Sequence, residues 1–125
     1  MYHLVLVAAG GAVGAGLRHL VNLATLRLFG SGFPWGTLTV NVVGSLAMGL
    51  FMAWLLRRTG SSAELRLLVA TGLFGGFTTF SAFSLDFAVL YERGALMQAF
   101  SYVAASVLLS IGALFVGLWV ARNLA

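Results

Sequence analysis

The sequence predicts an all-α integral membrane protein that forms a single domain over residues 1–125 and crosses the membrane with four helices. Of its 125 residues, 61% are hydrophobic and 8% are charged, whereas an ordinary soluble domain has roughly 45–50% and about 25%. A spanning helix needs about 20 apolar residues, so four spans use about 80 positions and leave only short connections. The sixteen glycines and single proline fit helices that pack closely in lipid.

Four apolar runs define the spans, and they extend from about Leu4 to Leu28, Trp35 to Leu56, Leu65 to Leu90 and Met97 to Val120. The first connection, at 30–34, contains two glycines and the proline, which end the preceding helix. Connections of about 6–8 residues join antiparallel neighbours. The first run is similar to the core of a signal peptide. However, no lysine or arginine precedes it and the apolar pattern continues past a normal cleavage position, so we expect a retained first span.

The charged residues indicate lipid headgroups as partners and argue against nucleic acid. The formal net charge is +4, but the chain has no lysine, and its seven arginines are scattered near the ends of apolar runs. They form no basic patch or stripe of the kind that follows a phosphate backbone. The absence of cysteine excludes disulfides and thiolate metal sites.

The arginines also give a weak orientation signal. One end of the four-helix arrangement carries four of them and the other carries two, or three if Arg18 reaches it: Arg57, Arg58, Arg66 and Arg122 against Arg27 and Arg93. Arginine accumulates on the cytoplasmic side of a membrane. The near-balance therefore leaves two alternatives, a single weakly biased orientation or insertion in both orientations with pairing of inverted copies.

Polar residues at membrane depth are the candidates for function, because they are unfavourable there unless they face protein or water. Arg18 lies about 21 Å along the first helix from Leu4, at about 1.5 Å per residue. It either extends to the membrane interface, as long basic side chains do, or supplies a positive charge that draws anions into a vestibule.

Two polar rows occupy the second and fourth spans. In each span three polar residues recur at i, i+4 and i+8 and share one helix face: Thr37, Asn41 and Ser45 in the second, and Tyr102, Ser106 and Ser110 in the fourth. Amides and hydroxyls can donate hydrogen bonds to an anion, and hydroxyls can also coordinate a cation. The alternative for both rows is helix packing, in which Asn41 bonds to a neighbouring helix and the small residues permit close contact.

The third span contains the segment GLFGGFTTFSAFS at 72–84, in which three glycines precede a cluster of polar residues. This composition predicts a helix broken near mid-membrane. Carbonyls freed at such a break commonly coordinate a cation, while the start of the following half-helix favours an anion. The alternative is a continuous helix that uses Gly72 and Gly76 as a GxxxG packing contact. Phe80 and Phe83 share a face, and their positive ring edges could solvate a small anion.

These residues resemble the Fluc (CrcB-type) fluoride channels over nearly the whole chain. The matching blocks are GGAVGAGLRH at 10–19, WGTLTVNVVGS at 35–45, the segment at 72–84 and YVAAS at 102–106. The resemblance implies a passive, fluoride-selective ion channel of the bacterial inner membrane that exports fluoride from the cytoplasm and protects against its toxicity. It also implies an antiparallel, dual-topology homodimer with two pores.

The resemblance also implies roles for individual residues. The anion pathway would be lined by Asn41, the paired Phe80 and Phe83, Ser81, Tyr102, Ser106 and Ser110, with Arg18 in an aqueous vestibule. Gly75 and Thr78 would bind a structural sodium ion through their backbone carbonyls at the centre of the dimer. Ala82 stands where some members have threonine, and Asp86 where others have glutamate. These departures bear on the conduction roles of those two positions and leave the family assignment unchanged.

Three other functions fit the residues less well. A small four-helix multidrug-type efflux transporter exchanges protons for a cationic substrate through an intramembrane carboxylate, whereas the only acidic residue inside a predicted span is Asp86, in the third. A membrane enzyme needs a nucleophile, a base or a metal cluster. The two histidines and three separated carboxylates do not form one, so we expect no enzymatic activity. A purely structural subunit does not account for two polar rows.

Overall fold

The computed structural model describes residues 1–58 and 63–124, and within these ranges the chain is helical apart from short connections. Its elements are α1 (Tyr2–Phe29), α2 (Trp35–Arg57), α3 (Ala63–Arg66), a π-helical segment (Leu67–Phe74), α4 (Gly75–Phe77), α5 (Ser81–Glu92) and α6 (Leu96–Leu124). Four stretches are long and apolar enough to cross a membrane: α1, α2, the third span Ala63–Glu92, and Leu96–Asn123. The predicted all-α architecture with four spans is confirmed in the described part of the chain.

The helices extend slightly beyond the apolar runs, because polar residues at the ends of a run can continue the backbone hydrogen bonding of the helix. α1 ends at Phe29, and the following Gly30 has a φ of 79°, in the left-handed region. The turn between α5 and α6 contains Gly94 with φ of 80°. Glycine adopts such angles without the steric cost that a Cβ atom imposes. The connections at 30–34 and 93–95 are therefore shorter than the predicted 6–8 residues.

The third span departs from α-helical geometry at two places. Over Leu67–Phe74 it is a π-helix, and at the end of this segment the Gly75 N–H donates to the Ala70 carbonyl, five residues earlier. Such wide turns are rare and frequently occur at functional sites. Residues 78–80 then lie between α4 and α5, and Thr78 has extended angles of φ −87° and ψ 159°. We refer to residues 78–80 as the interruption.

Glycines bring α1 into backbone contact with the third span. A Cβ atom added at Gly10 would lie 3.0 Å from Gly72 Cα, and one added at Gly14 would lie 2.7 Å from Phe77 N. A Cβ atom at Gly76 would lie 2.9 Å from the Cα atom of an α1 glycine. Gly72 and Gly76 thus form the close helix-packing contact that was one interpretation of their spacing.

The second close pair is α2 with α6. A Cβ atom at Gly49 would lie 3.0 Å from Leu118 N, and one at Gly117 would lie 2.8 Å from Leu50 N. Arg57 near the end of α2 also donates to the backbone carbonyl of Arg122 near the end of α6. The two helices therefore run in the same direction with their arginines at one end, as the four-span arrangement predicts.

The buried core is small and lies between α2, α5 and α6. It is formed by Leu38, Leu90, Ala99 and Tyr102, with Phe83 and Phe87 among the partly buried side chains packed against it. Many large apolar side chains remain exposed, including Leu108 at 71% and Phe115 at 62% on α6. An exposed apolar surface of this kind is what a lipid-facing protein requires.

Candidate functional site

The interruption is held by hydrogen bonds from its own threonines. The Thr78 N–H and hydroxyl both donate to the Phe74 carbonyl, at 3.0 and 2.9 Å. The Thr79 hydroxyl accepts from the Ala82 N–H at 3.2 Å, which satisfies one of the unpaired N–H groups at the start of α5. The polar residues that follow the glycines are therefore the residues that close the ends of the two half-helices.

Asn41 of α2 is bonded to the backbone of the interruption in both directions. Its Nδ2 donates to the Thr79 carbonyl at 3.0 Å, and the Thr79 N–H donates to its Oδ1 at 2.8 Å. An amide NH₂ has two hydrogens, so one donor is left after this pair is made. Asn41 thus bonds between helices, as its packing interpretation predicted, and it also carries a further donor beside the interruption.

A groove of about 440 Å³ opens next to this pair. Its lining comes from α2, the third span and α6: Asn41, Ser45, Gly75, Thr78, Thr79, Phe80, Phe83, Ser106, Val107, Ser110 and Ile111. The structure therefore brings together five of the eight residues proposed for the anion pathway and both residues proposed for the sodium ion. Two separate sequence patterns meet at one place because α2 and α6 both pack beside the interruption.

Two hydroxyls in this groove are buried without a hydrogen-bond partner. They are Ser106 Oγ and Ser110 Oγ, the only such buried side-chain atoms in residues 1–58 and 63–123. A buried polar group without a partner costs about 1–3 kcal/mol, so native structures keep few of them. The two serines are one helical turn apart and both line the groove.

Aromatic rings continue from the groove into the core. The ring centroids of Phe80 and Phe83 are 5.4 Å apart, and those of Phe83 and Tyr102 are 5.2 Å apart. Phe80 is 77% exposed whereas Tyr102 is fully buried. The Tyr102 hydroxyl donates to Asp86 Oδ2 at 3.1 Å. Tyr102 is thus behind the groove lining and reaches it through Phe83.

Besides Tyr102, three predicted polar residues lie outside the groove lining. Arg18 is partly buried, and its Nε donates to the Gly76 carbonyl at 3.1 Å, at the end of α4. Ser81 is exposed at the start of α5, where its Oγ is 3.4 Å from the Thr79 hydroxyl. Thr37 lines a second cavity of about 300 Å³ together with Asp86. The polar row of α2 is therefore divided between two cavities, with Tyr102 between them.

Thr79 is the residue that sequence reasoning did not single out. It lines the groove, pairs with Asn41 and closes the start of α5. In the sequence, Thr79 stands between the glycines and the later phenylalanines of the segment at 72–84. That position does not indicate which helix its backbone will face.

The described residues contain no group of three or more histidine, aspartate and glutamate side chains that could hold a metal ion. The carbonyls at the end of α4 have no following helical turn to bond to, and Gly75 and Thr78 lie there at the edge of the groove. The oxygens at the interruption are neutral carbonyls and hydroxyls, which are among the oxygen ligands that hard cations take.

Four membrane-capable helices, with a partly polar groove beside the interruption, define a small multi-pass membrane protein. The chain belongs to the CrcB family, described as "CrcB-like protein, Camphor Resistance (CrcB)", which matches residues 5–118. The family resemblance seen in the sequence is thereby confirmed.

Three relatives show how close the similarity is. Each is named fluoride-specific ion channel FluC. The protein of Mesorhizobium japonicum is 64% identical over 124 residues, and that of Chelativorans sp. is 63% identical over 124 residues, with 99% of both chains covered in each comparison. The protein of Hyphomonas neptunium is 54% identical over 125 residues, covering 99% of this chain and 98% of its own.

Proposed function

We propose that this chain is a fluoride-specific ion channel, not an enzyme, and that fluoride crosses the membrane along the groove beside the interruption. The channel function follows from membership of the CrcB family and from relatives of that name at up to 64% identity over 99% of the chain. The route is our inference from geometry. The observation that carries it is the pair of buried, unpartnered hydroxyls of Ser106 and Ser110.

The groove offers what a fluoride ion needs when it leaves water. Fluoride is small and strongly hydrated, so the protein must replace its water with hydrogen-bond donors. The Ser106 and Ser110 hydroxyls and the remaining Nδ2 hydrogen of Asn41 are such donors. The rings of Phe80 and Phe83 lie in the same lining, and their positive edges add weak attraction without a fixed charge. Weak, successive contacts suit an ion that must also leave.

Tyr102 and Ser81 extend this proposed path at its two sides. Tyr102 contacts Phe83, lies one helical turn before Ser106 and bonds to Asp86, which lines the second cavity. Ser81 continues from Thr79 towards the exposed surface. The Ser81 hydroxyl can donate to an anion, whereas the single hydroxyl hydrogen of Tyr102 is donated to Asp86, so Tyr102 would line the path with its ring.

The groove is open on one side, and we propose that a second copy covers it in an antiparallel homodimer. Phe80 lines the groove and is 77% exposed, so this side of the groove is open. The sequence alternative of insertion in both orientations supplies an inverted partner, and twofold symmetry then gives two equivalent pores. Gly75 and Thr78 of both copies would hold a structural sodium ion through backbone carbonyls, which would neutralise the negative ends of α4 at the dimer centre.

In the bacterial inner membrane such a channel protects the cell. Hydrogen fluoride enters as a neutral acid from an acidic medium and dissociates in the more alkaline cytoplasm. Fluoride then accumulates as an anion and leaves passively through a channel. No proton-coupling carboxylate is required in the groove, and Asp86, the only acidic residue of the described helices away from their ends, is bonded to Tyr102 and is not part of the groove lining.

A growth experiment tests this function against the multidrug-type alternative. A bacterium without its own fluoride exporter would be grown in acidic medium with fluoride, and in separate cultures with a panel of cationic drugs. The channel should restore growth in fluoride and leave drug sensitivity unchanged. Rescue in the drugs without rescue in fluoride would support the efflux transporter instead.

A further inference from the structure

Arg18 lies on the face of α1 that follows the third span. Gly10, Gly14 and Arg18 are spaced at i, i+4 and i+8, and the two glycines bring α1 against the backbone near Gly72 and Gly76. One turn further along α1, the contact with the third span is a hydrogen bond: Arg18 Nε donates to the Gly76 carbonyl at 3.1 Å. The side chain therefore reaches the backbone of the third span and not the groove, whose lining does not include it.

The bonded carbonyl is at a place where a helix needs a partner. α4 ends at Phe77, one residue after Gly76, and the last carbonyls of a helix have no intrahelical donor. Helix C-termini also carry partial negative charge, which a guanidinium stabilises. A hydrogen bond from a charged donor is stronger than a neutral one, so Arg18 is well suited to fix this end.

A different helix fixes the other side of the interruption. Asn41 of α2 holds both backbone groups of Thr79, three residues after Gly76. Arg18 from α1 and Asn41 from α2 thus clamp the chain immediately before and within the interruption. Thr78 lies between the two bonded residues, Gly76 and Thr79, and Phe80 follows Thr79. Both Thr78 and Phe80 line the groove.

We propose that Arg18 is a positioning residue for conduction, acting by its hydrogen bond to the Gly76 carbonyl and not by attracting anions from solution. It sets the direction in which the chain leaves α4 and thereby the placement of Thr78 and Phe80 in the groove. This inference rests on the proposed path along the groove.

Glutamine is the informative replacement for Arg18. The Nε2 atom of glutamine is separated from Cα by the same number of bonds as Nε of arginine, so Arg18→Gln keeps a donor at that place and removes the charge. Arg18→Leu removes both the donor and the charge. Arg27→Leu is the matched control, because it removes a charge from the exposed end of the same helix.

The first measurement is fluoride efflux from liposomes at low and high ionic strength. Arg18→Leu should reduce efflux about tenfold, the factor expected for losing a hydrogen bond to a charged donor. At equal amounts of reconstituted dimer, Arg18→Gln should recover most of the rate, and Arg27→Leu should match the parent. The reduction in the leucine variant should be the same at about 0.03 M and about 0.3 M salt, because attraction over a distance is screened by salt and a local bond is not.

The second measurement is amide hydrogen exchange of the peptide that contains residues 78–80, in detergent and without fluoride. Exchange should be faster in Arg18→Leu and near the parent rate in Arg18→Gln, since opening of the interruption is what the bond prevents. This readout does not depend on the route of the ion. Unchanged exchange in the leucine variant would reject the positioning role itself, even if the groove conducts as proposed.

Efflux results that contradict the inference are equally specific. A glutamine variant as slow as the leucine variant, with a defect that shrinks at high salt, would make Arg18 an electrostatic attractor. Faster exchange with normal efflux would separate the clamp from conduction and overturn the proposal. If instead groove variants such as Ser110→Ala conduct normally, the proposed path fails, while the exchange result still tests the clamp.

Discussion

Asn41 and Thr79 form a reciprocal pair, in which the Asn41 Nδ2 donates to the Thr79 carbonyl at 3.0 Å and the Thr79 N–H donates to Asn41 Oδ1 at 2.8 Å. Backbone groups outside a helix must find partners inside a membrane protein, since lipid supplies none. A carboxamide is the one neutral side chain that matches a peptide group in both directions. This pair therefore permits non-helical backbone at membrane depth and leaves an amide hydrogen for the groove.

Replacing Asn41 by aspartate should reduce fluoride efflux at least about tenfold. The substituted carboxylate still accepts from the Thr79 N–H but cannot donate to the Thr79 carbonyl, and it presents oxygen to an anion where a donor is needed. Asn123→Asp is the matched control, because Asn123 is exposed at the end of α6 and bonds only within its own helix. Normal efflux from a folded, assembled Asn41→Asp protein would show that the Asn41 amide is dispensable.

Phe80→Ile and Phe83→Ile should each lower fluoride efflux while leaving assembly largely intact. Isoleucine fills similar space but has no positive ring edge to offer an anion. The control is Phe115→Ile, at an exposed site on α6 that does not line the groove. Gel filtration reports assembly and liposome efflux reports conduction. Loss of assembly together with normal efflux from the remaining protein would mean that the two rings serve packing alone.

Ser106→Ala and Ser110→Ala should slow efflux without destabilising the protein. Neither hydroxyl has a hydrogen-bond partner in the described part of the structure. Its removal should therefore lower the free energy of unfolding by less than about 1 kcal/mol, or raise it. Ser101→Ala, at an exposed position of α6, is the control. A marked fall in thermal stability in detergent would indicate that the serines bond within the protein, contrary to the proposed role as ion donors.

The four spans could be predicted because length and hydropathy alone decide whether a helix crosses a membrane, and the two polar rows followed from helical spacing. The bonds that build the site could not. Whether the donors of Asn41 and Arg18 reach Thr79 and Gly76 depends on how far each helix is rotated and shifted against the third span. The division of Thr37 from Asn41 between two cavities depends on the same rotation. Glycine spacing predicted the Gly72 and Gly76 contact because it specifies a face and a close approach, which are both local properties.

Balanced insertion should be detectable with a single introduced cysteine in this cysteine-free chain. Ser61, in the connection after α2, is outside the described residues, and Ser31 offers an exposed alternative in the connection after α1. An impermeant thiol reagent should label about half of Ser31→Cys protein in intact cells and the rest after lysis, because near-balanced arginines give the positive-inside rule little bias. Uniform labelling or uniform protection would mean one orientation and would exclude the antiparallel dimer.

Added charge should disturb that balance. Two lysines appended to the C-terminus should favour one orientation and reduce the supply of inverted partners, which lowers the amount of active dimer. Two glutamines appended at the same place are the control, since acidic and neutral residues contribute little to orientation. The readouts are Ser31→Cys labelling and fluoride efflux per cell. A shift in labelling with unchanged efflux would contradict the need for inverted partners.

The most direct test of the central claim is efflux from liposomes that contain the purified protein and are loaded with either fluoride or chloride. Ion-selective electrodes would follow each anion while a potassium ionophore supplies charge balance and no proton gradient is applied. We expect fast fluoride efflux, with chloride efflux no faster than from protein-free liposomes. Equal rates for the two anions, or fluoride efflux that requires a proton gradient, would contradict a passive, fluoride-selective channel.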